Sequence, residues 1–329
     1  MITQTIQLYE GRPDVTLTSY VLADSPELLN GKARPGVLIC PGGAYLFCSD
    51  REAEPVALRF AAMGYHAFVL RYSTYFEGKP APFPLLGALE VNPHSVHPAP
   101  LRDIGAAFLT LRAHADAWRL DMDKIALCGF SAGAHNCAMY ATHWHAPVLS
   151  EFFGAPPAAF QPAAAILCYG LHDYHLMFGA IKDPFAQELS DAASIALMGT
   201  KTPDKALLDA VSPARHVSPH TPPIFLWATA ADELVPVENS TRMANALAQG
   251  GVPFEVHIFE RGPHGLSLAD QASANSRLEL DADAAQWMGL AAAWLQKRFA
   301  LPLAEKPAWM TMTEANNQPT KDTEKDMEA

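Results

Sequence analysis

Ser131 stands between two glycines in Gly129-Phe130-Ser131-Ala132-Gly133, directly after the apolar run of KIALCGF (124–130). The pattern G-x-S-x-G suits a serine on a sharp strand-to-helix turn, where bulkier neighbours would clash. A serine hydroxyl is a weak nucleophile at neutral pH and needs a base beside it. His264, in Arg261-Gly262-Pro263-His264-Gly265, offers an imidazole just past the run FEVHIFE (254–260). Asp232, in Ala231-Asp232-Glu233, follows PIFLWATA (223–230) and offers a carboxylate that would orient the imidazole and stabilise its cation. The chain order is serine, acid, histidine. Each lies at the carboxyl end of an expected strand, the edge where open α/β sheets bind ligands. The chemistry this constellation suits is acyl transfer through a covalent acyl-serine.

Such chemistry also needs donors for the negative charge that develops on the carbonyl oxygen. The amide of Ala132, next to the nucleophile, is one candidate. The loop Cys40-Pro41-Gly42-Gly43-Ala44-Tyr45 supplies the others, the amides of Gly42, Gly43 and Ala44. Consecutive glycines let backbone approach an acyl group closely. Tyr45 and His135, the latter one helical turn after Ser131, are candidate pocket residues, set against the plainer readings of a buried aromatic and a helix residue with a local partner. Asp173, in YGLHDYH, is an alternative acid. Glu233 is expected to point away from the site, and His257, inside a strand pattern, to be packed. The pairs His172/His175, His143/His145 and His94/His97 lack a third ligand at metal-binding spacing. No metal is expected.

These residues need a scaffold, and compact apolar runs supply it: GVLIC (36–40), YHAFVLRY (65–72), KIALCGF (124–130), AAAILCYG (163–170), PIFLWATA (223–230) and FEVHIFE (254–260). Runs with so little alternation suit strands covered on both faces. Helical patterns lie between them. SDREAEPVALRFAAMG begins with Ser49 and Glu52 at capping-box spacing and stops at Gly64. Residues 101–118 carry apolar positions at helical spacing. Strand–helix alternation implies right-handed crossovers and a mostly parallel sheet. TQTIQLYE and VTLTSYVLA, joined by the turn-like GRPD, add an antiparallel edge, for about eight strands in all.

Together, CPGGAYLFCSDREAEPVALRFAAMGYHAFVLRYS, GFSAG, ATAADELVP and GPHG resemble the α/β-hydrolase superfamily. Within it the chain is similar to small bacterial carboxylesterases and acetyl esterases related to hormone-sensitive lipases. The resemblance covers roughly residues 15–298. It implies an α/β-hydrolase fold with helices on both faces of the sheet, and hydrolysis of a small-molecule carboxylic ester without a cofactor. Those esterases often carry His-Gly-Gly-Gly at the oxyanion loop, where this chain has Pro41-Gly42-Gly43-Ala44. Their pattern covers neither 73–100, rich in proline and histidine, nor 171–222. Connections this long are often binding loops, and both are expected over the site. One hydrolase domain, 1–301, is therefore expected, followed by a polar, disordered tail, 302–329.

Composition narrows the setting. Of 329 residues, 50% are hydrophobic and 18% charged, which suits a globular chain with a substantial core. A formal net charge of -12 argues against a nucleic-acid partner, which needs clustered cations. No apolar run is long enough to span a bilayer, and the first residues lack a secretory pattern. Cys40, Cys128 and Cys168 each close an apolar run and read as buried thiols. A cytoplasmic location is the simplest expectation.

Overall fold

The computed structural model describes residues 1–82, 89–177, 184–307 and 309–310. Eight strands form one sheet: β1 (Ile2–Gln7), β2 (Thr16–Val21), β3 (Arg34–Cys40), β4 (His66–Arg71), β5 (Leu120–Phe130), β6 (Ala164–Cys168), β7 (Ile224–Thr229) and β8 (Phe254–Phe259). Their order is β1-β2-β4-β3-β5-β6-β7-β8. β1 and β2 pair antiparallel, as do β2 and β4, and every later pairing is parallel. Parallel neighbours need crossovers. These carry α1 (Glu54–Ala62), α2 (Ala99–Trp118), α3 (Ala132–His143), α4 (Pro147–Phe153), α5 (Pro184–Met198), α6 (Lys205–Ala210) and α7 (Glu238–Gln249), and α8 (Trp287–Phe299) follows the last strand.

The period-2 geometry of strands divides the core into two layers. Val37 and Ile39 of β3 face Val56 and Phe60 of α1 and join Trp227, Trp287 and Trp294 on the α8 side. Leu38 and Cys40 face the opposite way, toward Ile104 and Phe108 of α2, Met139 of α3 and Leu247 of α7. All seven residues of β3 are buried, as an apolar run without alternation requires. β8 departs from that expectation: it is the sheet edge, and Phe254 and Ile258 are exposed.

Two local expectations are corrected. β5 begins at Leu120, earlier than its apolar run, because Leu120 pairs with Arg34 before a register shift that restores regular pairing at Ile125. The Ser49/Glu52 capping box does not form. Ser49 makes no capping bond, residues 50–52 form a 3-10 turn, and Glu52 turns into the interior. The tail beyond residue 310, and with it the expectation of disorder there, lies outside the described residues.

Candidate active site

β5 ends at Phe130 and α3 begins at Ala132, so Ser131 alone makes the corner. Its φ of 51° and ψ of -119° fall where side chains are strained. The flanking glycines permit this corner. A Cβ on Gly133 would lie 2.0 Å from the Cys40 carbonyl oxygen and 2.4 Å from that of Pro41. One on Gly129 would lie 2.4 Å from the carbonyl oxygen of Gly133. The Ser131 amide donates to the Cys168 carbonyl on β6 at 3.0 Å, pinning the turn to the next strand.

The carboxyl ends of β5, β7 and β8 bring three distant side chains together. Ser131 Oγ lies 2.8 Å from His264 Nε2, and His264 Nδ1 lies 2.7 Å from Asp232 Oδ2. The other Asp232 oxygen accepts from the amides of Leu234 and Val235, both at 2.9 Å. Burial opposes charge on His264, but the Asp232 carboxylate, its hydrogen bond and the nearby Glu52 outweigh that cost and hold the imidazole above its ordinary pKa. This arrangement lets the serine proton pass to nitrogen while the resulting cation is stabilised.

The rivals sit elsewhere. Asp173 is buried and paired with Arg215 at 3.3 Å, and it caps the short turn at His175. Glu233 is exposed. His257 packs on Phe225 and contacts Glu255 at 3.0 Å. Among the described residues no group of three metal-ligating side chains forms.

The oxyanion-loop expectation needs one correction. Gly42 donates its amide to Glu52 Oε2 at 2.7 Å and therefore turns away from the acyl position. The next residues swing through positive φ: 129° at Gly43, 56° at Ala44 and 60° at Tyr45. A Cβ on Gly43 would lie 2.1 Å from the Phe47 carbonyl oxygen, so only glycine fits there. Among the described residues the amides of Gly43, Ala44 and Ala132 have no hydrogen-bond partner. Ala132 opens a twelve-residue helix, whose first amides carry a partial positive charge.

Of its two readings, His135 takes that of a helix residue with internal partners rather than that of a pocket residue. It is fully buried behind Tyr45, with Nδ1 at 2.5 Å from the Tyr45 hydroxyl and Nε2 at 2.7 Å from the Val211 carbonyl. Both ring nitrogens are thus used inside the protein. Tyr45 itself lines a cavity of about 40 Å³ beside Ser131, with Leu171, Tyr174, Met177, Leu189 and Val235. A more open groove of about 210 Å³ lies on the other side, along Phe47, Arg51, Glu52, Leu234 and His264. Leu189 belongs to α5, within 171–222, and borders both spaces. Residues of the described part of 73–100 line a groove with Phe47 and Arg71. Residues 83–88 and 178–183 lie outside the described residues.

Sequence reasoning missed Glu52 and Tyr169. The Tyr169 hydroxyl donates to Glu52 Oε1 at 2.6 Å, and the Tyr169 ring stands edge-to-face on His264 with centroids 5.2 Å apart. Tyr169 directly follows β6, and that position at the carboxyl edge of the sheet was the available signal.

A family profile described as BD-FAE matches residues 90–247. Endo-1,4-beta-xylanase B of Butyrivibrio fibrisolvens is 32% identical over 242 residues, 72% of this chain and 33% of that protein. Among solved structures, the carboxylesterase Cest-2923 of Lactobacillus plantarum superposes with a TM-score of 0.73 and 29% identity, over 92% of this chain and 100% of its own. MGS-M1, an alpha/beta hydrolase enzyme from a Medee basin deep-sea metagenome library, superposes with a TM-score of 0.66 and 31% identity, over 92% of this chain and 99% of its own. The chain spans between 33% and 56% of the length of the curated relatives it matches.

Proposed function

Because the chain belongs to the α/β-hydrolase superfamily, we propose that it is a serine carboxylesterase hydrolysing short-chain, acetyl-type esters. The observation that carries this reading is the unbroken hydrogen-bond chain Ser131–His264–Asp232 beside unpartnered backbone amides. Ser131 Oγ attacks the ester carbonyl while His264 Nε2 takes its proton. The developing oxyanion is held by the amide of Ala132 and those of Gly43 and Ala44. His264 then returns the proton to the departing alcohol, and Asp232 keeps the imidazole oriented throughout. Water, deprotonated by the same imidazole, attacks the acyl-serine and releases the acid. No step calls on a cofactor.

The acyl preference rests on the two spaces flanking Ser131. The cavity of about 40 Å³, lined by Tyr45, Tyr174 and Leu189, suits an acyl group of few carbons. The open groove past Phe47 and Arg51 suits the alcohol portion. Five free cysteines, four of them buried, support the reducing cytoplasm expected from the sequence. Among the described residues no helix is long and apolar enough to cross a membrane.

The test is hydrolysis of p-nitrophenyl esters of increasing acyl length by the wild type and by Ser131→Ala. The wild type should favour acetate, and the variant should lose nearly all turnover while keeping its fold. Undiminished turnover by a folded Ser131→Ala protein would end the serine reading. A preference for long acyl chains would end the short-chain one.

A further inference from the structure

We infer that Glu52 is a positioning residue for this reaction, its carboxylate fixing the oxyanion loop through the Gly42 amide and bracing His264 through Tyr169 and through space. This rests on the serine-esterase reading. Glu52 follows Ser49 in an exposed-looking, charged stretch, SDRE, yet only 4% of it is exposed. Burying a carboxylate is costly unless its oxygens are used. Here both are: Oε2 accepts from Gly42 at 2.7 Å, and Oε1 accepts from the Tyr169 hydroxyl at 2.6 Å. Two acceptors and no donor describe an ionised group.

Each bond leads to a different part of the proposed chemistry. By engaging Gly42, Glu52 holds that amide away from the acyl position, and the chain then passes through the positive-φ residues Gly43 and Ala44 with their amides free. By engaging Tyr169, it fixes the ring that stands on His264. The Tyr169 hydroxyl also accepts from the Ser267 amide at 2.9 Å, which ties the same network to the loop carrying His264. Gly42 leaves no room for improvisation, since a Cβ there would lie 2.7 Å from Glu52 Oε2. The negative charge of Glu52 adds to that of Asp232 in favouring the His264 cation. Burial holds the Glu52 carboxyl above its ordinary pKa, and Tyr169, Gly42, His264 and Arg51 offset only part of that rise. The titratable and charged groups facing this network are Tyr169 and Cys168 at the end of β6, Tyr72 after β4, Arg51 on the same turn, and His264 with Asp232.

The experiment measures kcat and KM for p-nitrophenyl acetate against pH in wild type, Glu52→Gln, Glu52→Asp and Tyr169→Phe. Glu52→Gln keeps the shape but loses the charge and one acceptor. Its kcat should fall about tenfold or more with KM within about twofold, because the loop is misplaced for the transition state more than for the substrate. Its acid limb should move to lower pH. Glu52→Asp keeps the charge, so its acid limb should stay near that of wild type while kcat falls through lost reach. A folded Glu52→Gln protein with wild-type kcat and acid limb would overturn the proposal. If Glu52→Gln fails to fold, Tyr169→Phe decides: lowered kcat at unchanged KM supports the proposal, and wild-type kinetics overturns it. Retained turnover in Ser131→Ala would instead remove the underlying reading, so the two failures are distinguishable.

Discussion

Asp232 divides its carboxylate between two tasks: Oδ2 meets His264 Nδ1 at 2.7 Å, while Oδ1 accepts from the amides of Leu234 and Val235 at 2.9 Å each. The aspartate is therefore held by backbone and in turn holds the imidazole. Its side chain is 1% exposed, so water does little to weaken that hold.

The first prediction concerns pH. In the proposed mechanism His264 must be neutral to accept the Ser131 proton; burial opposes its charge, but Asp232 and Glu52 hold its pKa above the ordinary 6.5. Activity should therefore fall as acid is added, with a midpoint above pH 6.5 for kcat/KM. Asp232→Asn should lower kcat by about 10⁴ and move that midpoint downward, because the stabilised tautomer and cation are both lost. Initial rates on p-nitrophenyl acetate across the neutral range check both. Asp173→Asn should leave the profile in place and instead lower stability by about 1–3 kcal/mol through its broken pairing with Arg215.

The corner at Ser131 gives a second prediction. In Gly133→Ala, the new methyl would sit 2.0 Å from the Cys40 carbonyl oxygen, which is backbone and cannot swing aside. The loss of stability should be about 3 kcal/mol or more, with most activity gone even where protein remains folded. Denaturant melts of the variant and wild type measure it.

A third prediction addresses acyl size. Leu189 is half-buried on α5 and borders both spaces beside Ser131, so shortening it should enlarge the smaller one at little cost to the fold. Leu189→Ala should raise the ratio of butyrate to acetate hydrolysis, in kcat/KM, by about tenfold. An unchanged ratio would place the acyl group elsewhere.

The fourth concerns acid stability. Burial lowers His66 to about 4, and His135 and His172 to about 3. All three are at most 1% exposed. Unfolding frees them to bind protons below pH 6.5, so each should contribute a fall in stability of about 1.4 kcal/mol per pH unit as pH drops from about 6.5 toward 4, while buried Asp103, raised to about 6, opposes that fall. The raised pKa of His264 works the opposite way at the top of that window, since its proton binds more tightly in the folded state. Neither ring nitrogen of His172 has a partner among the described residues. His172→Phe should therefore reduce the slope by about 1.4 kcal/mol per pH unit, measured as denaturant-derived stability against pH.

Much of this scaffold was legible because local pattern and global fold agree. The apolar runs 36–40, 124–130 and 223–230 could only be buried strands, and the chemistry-bearing residues follow directly after the last two. What escaped depends on pairs far apart in sequence. Ser49 and Glu52 satisfy a local rule for helix entry, but Glu52 finds stronger use with Gly42, ten residues back, and Tyr169, 117 residues on. Its choice also removed Gly42 from the candidate oxyanion donors. His135 lies one turn from Ser131 along α3, yet proximity along a helix does not say which side faces the cavity, and Val211 draws the ring into the interior.

Ser131 and His264 are separated by 133 residues, and β8, the strand that precedes His264, is the last in the chain and the outermost in the sheet. Under the proposed mechanism, a chain made from its amino end carries the hydroxyl long before it carries the imidazole. Competence would then depend on the final edge of the sheet rather than on the residue that attacks.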